Sequence, residues 1–320
     1  MRRYFCTYFD INFSPRGMAL YESITAHCSS FTFIVLALDT EVEKQLADYP
    51  NIQVISLQDY MHRYDVDETK YATKKELYFS LTAGFCMYVL EKYPAIDILF
   101  YLDADIYFFG PVEDLYTEMG SSSIFITPHK VTPLLEMIMG YYGSFNVGIN
   151  GFRNDCDGLA CLQKWKQDCD AWSKEPVETR SAFFNDQLYL DEWPRLFNQV
   201  GISANPGINL APWSLGQYHL SVKGNDFYVG KKQVVAFHFS DLKRIAPNTW
   251  ETNSGPHLFY MGFNKKKLYV AYLQNVEKYY GRTGIKNYVS LNHRRGSLKM
   301  RIRSLLNRLT QSIVYIQTDA

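Results

Sequence analysis

The sequence predicts an α/β protein with a mainly parallel central sheet flanked by helices, and three features point to it. The first half alternates strand-like and helix-like segments in the order β-α-β-α-β-α-β, which places parallel strands side by side with helices on both faces. FTFIVLAL (31–38) is a near-continuous apolar run, as a strand buried on both faces must be. The fourth strand, in IDILFYLDAD (96–105), ends in two carboxylates, and ligands of open α/β sheets gather at the carboxyl ends of strands.

The segments follow in order. Residues 2–9 are β-rich and start the fold. PRGMALYESITAHC (15–28) is expected to be helical, with Met18, Tyr21, Ile24 and Thr25 at helical spacing. Asp39 and Thr40 can cap the helix EVEKQLADY. NIQVISL (51–57) is a strand, and a long helix over about 70–92 stops before Pro94. In the second half, 123–128, 144–152 and 233–240 are expected strands, and 158–173, 185–197 and 265–281 expected helices, the second of these ending near Pro194.

A chain of 320 residues can bury a real core, as one large domain with appendages or as two modest ones. Thirty-three basic residues balance 33 acidic ones, which argues against general nucleic-acid binding. The six cysteines form no CxxC pair and are expected to be reduced thiols. The first residues show no signal-peptide core, and no stretch reaches the ~18 apolar residues needed to span a bilayer; a cytoplasmic location is expected. Aromatics make up 16% of the chain, which suits sugar handling and equally suits a Tyr-rich core.

Asp103 and Asp105 carry the clearest chemistry. Two carboxylates one residue apart at a strand end can hold a hard divalent cation, and the cation can hold a diphosphate whose charge grows as a sugar bond breaks. Asp-x-Asp alone also describes two solvated loop acids. Here an apolar strand precedes it, and Tyr107, Phe108, Phe109, Gly110 and Pro111 follow.

YLDADIYFFGPVEDL resembles the Asp-x-Asp block of GT-A fold glycosyltransferases. YFCTYFDINFSPRGMALYES is similar to their first strand and nucleotide-binding turn. SFNVGINGFRND resembles the Phe-Asn-x-Gly block of glycosyltransferase family 8, NDQLYLDEW its Asp-Gln block, and VVAFHFSDLK its late His-containing strand. The likeness extends over about residues 3–245, and is nearest to bacterial transferases that build surface polysaccharides.

The resemblance implies a GT-A type single large domain over 1–262, with a nucleotide-sugar half to about 115 and an acceptor half beyond it. A helical extension over 263–320 would follow. It implies Asp103, Asp105 and His238 as ligands of Mn2+ or Mg2+, although a lone histidine on an apolar strand also reads as a core residue. Thr7, Tyr8, Asp10, Asp103 and Ala104 would meet the donor, with Tyr8 either stacking on the base or merely packing. The family has an arginine near the helix before Asp103; this chain offers Lys74 and Lys75 there. Lys243, with Arg244 as runner-up, could neutralise diphosphate. Asn146 and Asn150 could hold sugar hydroxyls, and His129 could lie near a phosphate. Asp186 and Gln187 match the pair that grips the donor near the anomeric carbon, while Asp186 also reads as a helix cap. Trp213, in the turn-rich loop NPGINLAPW, either faces a sugar or anchors its loop.

The activity implied is transfer of a hexosyl or N-acetylhexosaminyl group from a nucleotide-sugar, UDP-linked by family likeness, to a glycan or lipid-linked acceptor. Retention of configuration is implied, with Asp103, Asp186 and Gln187 at the reacting centre. An inverting enzyme would need a carboxylate base, with Asp186 and Asp241 first in line. Between Thr283 and Thr318 there is no acidic residue, and Lys286, Arg294, Arg295, Lys299, Arg301, Arg303 and Arg308 lie there. Leu298, Ile302, Leu305, Leu306, Leu309 and Ile313 fit one helical face, so this tail could lie on an anionic membrane or dock on protein. Two other readings compete. A sugar-nucleotide nucleotidyltransferase would show a Gly-rich basic loop where FDINFSPRG stands; a non-catalytic sugar or nucleotide module, or a scaffold, would share the fold without turnover.

Overall fold

A computed structural model of the chain describes residues 1–71, 73–139, 142–174, 186–257, 259–289, 305–307 and 309–317. The first half runs β1 (Arg3–Phe9), α1 (Ser14–His27), β2 (Phe31–Ala37), α2 (Thr40–Leu46), β3 (Ile52–Ser56), α3 (Leu57–Tyr64), α4 (Lys74–Lys92) and β4 (Ile98–Leu102). Short polar side chains start α2 and α4, the first at Asp39 as the sequence suggests. Asp39 accepts from the Val42 amide at 2.9 Å to open α2, and Thr73 accepts from the Glu76 amide at 3.2 Å to open α4.

Next come β5 (Ile106–Phe108), α5 (Glu113–Met119), β6 (Ile124–Pro128), α6 (Pro133–Met139), β7 (Phe145–Arg153), α7 (Cys156–Lys174), α8 (Trp193–Leu196) and β8 (Val200–Ile202). The helix expected over 185–197 is instead a 3-10 turn, Asp186–Glu192, that passes into α8. Pro194 lies in the first turn of α8 rather than ending a helix. There its missing N–H costs nothing, because the first amides of a helix have no partner inside it.

The seven-stranded sheet has the order β3-β2-β1-β4-β7-β6-β8. Every neighbouring pair is parallel except the two that involve β7. This is the mixed α/β sheet, mainly parallel, that the sequence predicts. Side chains of β1, β2 and β4 alternate across it. Phe5, Phe33, Val35 and Phe100 face a layer with α1, α2 and α5, whereas Cys6, Ile34, Leu36, Leu99 and Tyr101 face a layer with α4 and α7. Both faces are covered, which is why β2 reads as unbroken apolar sequence. The Cys6 and Cys86 sulfurs stand 3.8 Å apart as thiols.

The remainder comprises β9 (Leu220–Lys223), β10 (Asp226–Val229), β11 (Lys232–Gln233), β12 (Ala236–His238), β13 (Lys243–Ala246), β14 (Thr249–Glu251), α9 (Gly262–Thr283) and β15 (Ile313–Tyr315). The single strand expected over 233–240 is split between β11 and β12, because the Val235 and Ala236 amides turn to the Gly207 carbonyl. Helix α9 packs on α1 and buries Leu268, Tyr269, Tyr272, Leu273 and Val276 in a third apolar cluster with Phe237, Phe239 and Trp250. Phe239 and Tyr272 stack 3.9 Å apart with planes 8° from parallel.

The tail departs from a continuous amphipathic helix. Gln311 adopts φ +54°, which ends the turn before it. Ile313 then lies in β15, paired antiparallel with Glu251 of β14. Two β-branched residues and a tyrosine suit that edge better than a helix. Leu298, Ile302 and the basic residues from Arg294 to Arg308 lie outside the described residues. Among the described residues no helix is long and apolar enough to cross a membrane.

A buried ion pair ties β13 to α9. Arg244 donates through Nε to Glu277 Oε1 at 2.8 Å and through Nη2 to Oε2 at 2.5 Å, while Trp250 Nε1 donates to Glu277 Oε1 at 2.7 Å. Removing one member leaves a buried charge uncompensated, at a cost of about 3–5 kcal/mol. Glu277→Ala is therefore expected to lower the urea midpoint by a corresponding amount with the denaturant slope unchanged; a midpoint within error of the parent would show the pair to be dispensable.

Candidate metal and nucleotide-sugar site

The strand order reverses between β1 and β4. The chain lays β2 and β3 to one side of β1 and then returns to place β4 on the other. The loops after β1 and β4 therefore diverge, and a crevice opens at their carboxyl ends. Tyr8, Phe9 and Asp10 leave β1 into this crevice, and Asp103, Ala104 and Asp105 leave β4 into it. The cleft has a volume of about 880 Å3, within the range of small-molecule sites.

Two backbone hydrogen bonds fix the acidic turn. The Asp103 amide donates to the Gly148 carbonyl at 2.9 Å, and the Asp105 carbonyl accepts from the Phe239 amide at 2.9 Å. The first places β7 beside the turn. The second continues the β5–β12 ribbon, in which His238 pairs with Ile106. His238 Nε2 consequently stands 3.1 Å from Asp105 Oδ1 and 3.6 Å from Asp103 Oδ2. The ligating atoms of Asp103, Asp105 and His238 all lie within 4.8 Å of one another.

Burial and mutual charge perturb this trio. Burial raises the Asp103 carboxyl, as does neighbouring Asp105, against His238 and the Tyr101 hydroxyl, which donates at 2.8 Å. Burial also works against ionised Asp105, but His238 and then Arg16 outweigh it and hold that carboxyl below its usual range. His238 is held above the usual imidazole range because Asp105 and Asp103 outweigh its burial.

The facing wall carries Asp186, Gln187 and Asn146. Burial, with Asp103 nearby, pushes the Asp186 carboxyl up to about 8. Asp186 is also the first residue of the 3-10 turn. Gln187 Nε2 donates to the Tyr142 carbonyl at 2.6 Å. Further along, His129 lies edge-on to Trp213, with ring centres 4.8 Å apart, and its Nδ1 is 3.2 Å from the Gly143 carbonyl. Burial drops the His129 imidazole to about 4, so the ring is neutral at ordinary pH. Trp213 and His257 line the same end of the cleft.

The remaining expected site residues divide. Tyr8 lines the cleft with its hydroxyl 3.0 Å from Thr82 Oγ1, packed beside Tyr101. Asp10 lines it too, but one carboxylate oxygen accepts from the Phe13 amide at 3.0 Å. Thr7 and Asn150 are fully buried in the sheet and do not line the cleft, because β1 and β7 are covered on both faces. Lys74 is exposed on the first turn of α4 and Lys243 opens β13; neither lines the cleft, and the Lys75 side chain lies outside the described atoms. Arg244 is committed to Glu277.

Among the described lining residues there is no lysine or arginine, whereas Asp10, Glu76, Asp103, Asp105, Asp186 and Asp241 all contribute carboxyls. Sequence reasoning did not reach Tyr101, Asn209 or His257. Tyr101 was within reach, since it sits two residues before Asp103 on the same strand face. Asn209 and His257 arrive through loops and carry no local signal.

No protein-family model matches the chain. Among curated proteins it is 26% identical to the uncharacterized protein YfnD of Bacillus subtilis, over 71% of this chain and 74% of that one. It is 23% identical to the uncharacterized protein YfnF of the same organism, over 76% and 83%. Among solved structures it is similar to the glycosyltransferase GlyE of Streptococcus pneumoniae, with 17% identity and a TM-score of 0.42 over 66% of this chain; it spans 47% of that longer chain. It is also similar to the galactosyltransferase LgtC in complex with donor and acceptor sugar analogues, with 20% identity and a TM-score of 0.41, over 66% of this chain and 76% of that one.

Gly148 offers a sharp test of the cluster. A Cβ there would fall 2.6 Å from His238 Nδ1 and 2.7 Å from Asn146 Oδ1, closer than real contacts allow. Gly148→Ala is expected to displace His238 and to weaken Mn2+ binding by ~10-fold or more, read by electron paramagnetic resonance titration. Parent-like affinity would separate His238 from the metal site.

Proposed function

We propose that this protein transfers a glycosyl group from a nucleotide-sugar, of the UDP class, to a hydroxyl of a glycan or lipid-linked acceptor, with retention at the anomeric carbon. The observation that carries the reading is the Asp103–Asp105–His238 cluster at the reversal point of the sheet, opposite Asp186 and Gln187 in one cleft. In this reading the base and ribose lie along Tyr8, Phe9, Asp10 and Asp103, the diphosphate over Asp105 and His238, and the sugar against Asp186, Gln187 and Asn146. The acceptor enters past His129, Trp213 and His257.

A bound divalent cation would supply the positive charge that offsets the diphosphate as it leaves. The described cleft wall is acidic and without lysine or arginine, so this chain's side chains contribute position more than countercharge. Asp186 and Gln187 orient the sugar. The aromatic and imidazole rings at the far end exclude water and orient the acceptor. The bond from the anomeric carbon to the diphosphate oxygen breaks, a bond to the acceptor oxygen forms on the same face, and the acceptor proton passes to the departing phosphate oxygen. No side chain need act as a strong base. The division into a catalytic domain over 1–262 and an extension over 263–320, and a place in surface-polysaccharide assembly at the inner face of the cytoplasmic membrane, belong to the same proposal.

The test is hydrolysis and transfer over a panel of UDP- and GDP-sugars, with Mn2+ and with EDTA, in the parent and in Asp105→Ala. One nucleotide should be released, with loss of roughly 10^2-fold or more in the variant and in EDTA, and NMR should find the product anomer unchanged from the donor. An inverted product would overturn retention, and no nucleotide binding by calorimetry would overturn the transferase reading. For the basic tail, truncation would also remove β15, which pairs with β14. Replacement of Arg294, Arg295 and Lys299 by Glu is the cleaner variant. It is expected to reduce binding to vesicles containing anionic lipid, and undiminished binding would refute membrane attachment by the tail.

A further inference from the structure

Asn146 Oδ1 is the meeting point of three donors. The Gly148 amide reaches it at 2.9 Å, Asn209 Nδ2 at 3.0 Å, and His238 Nδ1 lies 3.2 Å away. The Gly148 group is a backbone N–H and can only donate, so the atom it meets must be the amide oxygen of Asn146. That oxygen can only accept, and His238 Nδ1 facing it must therefore carry the ring proton.

The other end of the network is fixed in the same way. Gln187 Nε2 meets the Tyr142 carbonyl at 2.6 Å, an acceptor that cannot donate. Gln187 must then turn its oxygen to Asn146 Nδ2, 3.3 Å away. The direction of every bond from the Tyr142 carbonyl to His238 follows from one backbone acceptor and one backbone donor.

We infer that Gln187, Asn146 and Asn209 form a polarised amide relay that holds His238 with its proton on Nδ1 and turns Nε2 to the side of Asp103 and Asp105, where it would ligate a cation, and that Asn209 is a positioning residue of the metal site. Asn209 touches none of the three ligands. It is 2% exposed and sits at φ +52°, a conformation asparagine tolerates better than most residues. Its amide nitrogen also donates to Thr127 Oγ1 at 2.7 Å, which anchors it to β6. The loop is held to the ribbon that carries His238, since the Leu210 amide donates to Ala236 and the Leu210 carbonyl accepts from His238. The relay joins the metal ligand to Gln187, so the two walls of the cleft share one hydrogen-bonded frame.

The inference rests on the reading of Asp103, Asp105 and His238 as a metal site, and its readouts are independent of sugar transfer. The first is the 15N spectrum of the histidine-labelled, Zn2+-loaded protein, with His238 assigned by its loss in His238→Gln. A proton on Nδ1 and a metal-bound Nε2 are expected; the opposite arrangement overturns the relay. The second is Mn2+ affinity. Asn146→Asp keeps the acceptor and should retain the tautomer and bind at least as tightly. Asn146→Leu should lose ~10–100-fold, and Asn209→Gly, which removes one of three donors without straining the backbone, should lose a smaller factor. Parent-like affinity in Asn146→Leu overturns the inference; if that variant fails to fold, the parent spectrum decides. Failure to bind Zn2+ or Mn2+ at all overturns the relay and the metal site together, whereas failure to turn over any nucleotide-sugar, with these readouts intact, overturns only the transferase reading.

Discussion

The three-residue turn from Asp103 to Asp105 is the joint on which the site depends. It leaves the central sheet at β4 and enters the β5–β12 ribbon, and its backbone is bonded on both sides, to Gly148 of β7 and to Phe239 beyond β12. The second of these bonds extends the β5–β12 pairing, which brings Asp105 beside His238, some 130 positions away in sequence. Gly148 fits this joint because its Cα lies where no side chain could stand between His238 and Asn146.

Around the joint, the cost of burying polar groups shapes what the site can do. Asn146, Asn209, Thr127 and His238 are all nearly inaccessible to solvent. Buried donors and acceptors tend to find partners, and here the bonded groups form one directional network rather than separate pairs, with Asn209 Oδ1 left without a hydrogen bond. The acidic residues lie at the mouth of this network, where carboxyls accumulate without a described lysine or arginine among the lining residues. Burial, and after it the neighbouring carboxylates, favours protonation there, as the upward shifts at Asp103 and Asp186 reflect. A cation held by Asp103, Asp105 and His238 would relieve the repulsion between the carboxylates, in keeping with the proposed function.

Much of the architecture of the first half was legible in the sequence because its signals are local. Apolar runs bounded by caps and turns identify β1 to β4, and Asp39 and Thr73 start helices as short polar residues do. Where long-range pairing competes with local propensity, legibility fails. Ile313 has the spacing of a helical face but is drawn into a strand by the open edge of β14. Val234 and Val235 continue an apolar run yet leave the strand because the 205–210 loop captures their neighbours' hydrogen bonds. The lysines expected near the donor, Lys74 and Lys243, were placed by position along the chain, which does not say toward which surface a long side chain turns.

The sequence by itself determined the α/β class and the strand that ends in Asp103 and Asp105, because residue type and strand period are properties of neighbours along the chain; the candidacy of His238, Asp186, Gln187 and Asn146 came from the resemblance of their blocks to family 8. Only the tertiary structure decided that these residues meet. It withdrew Thr7 and Asn150 into the sheet and committed Arg244 to Glu277. It also brought in Asn209, whose role exists only through the amide it faces. The physical reason is that burial and hydrogen-bond direction are set by partners distant in sequence, and no local pattern records which partner a buried polar group will find.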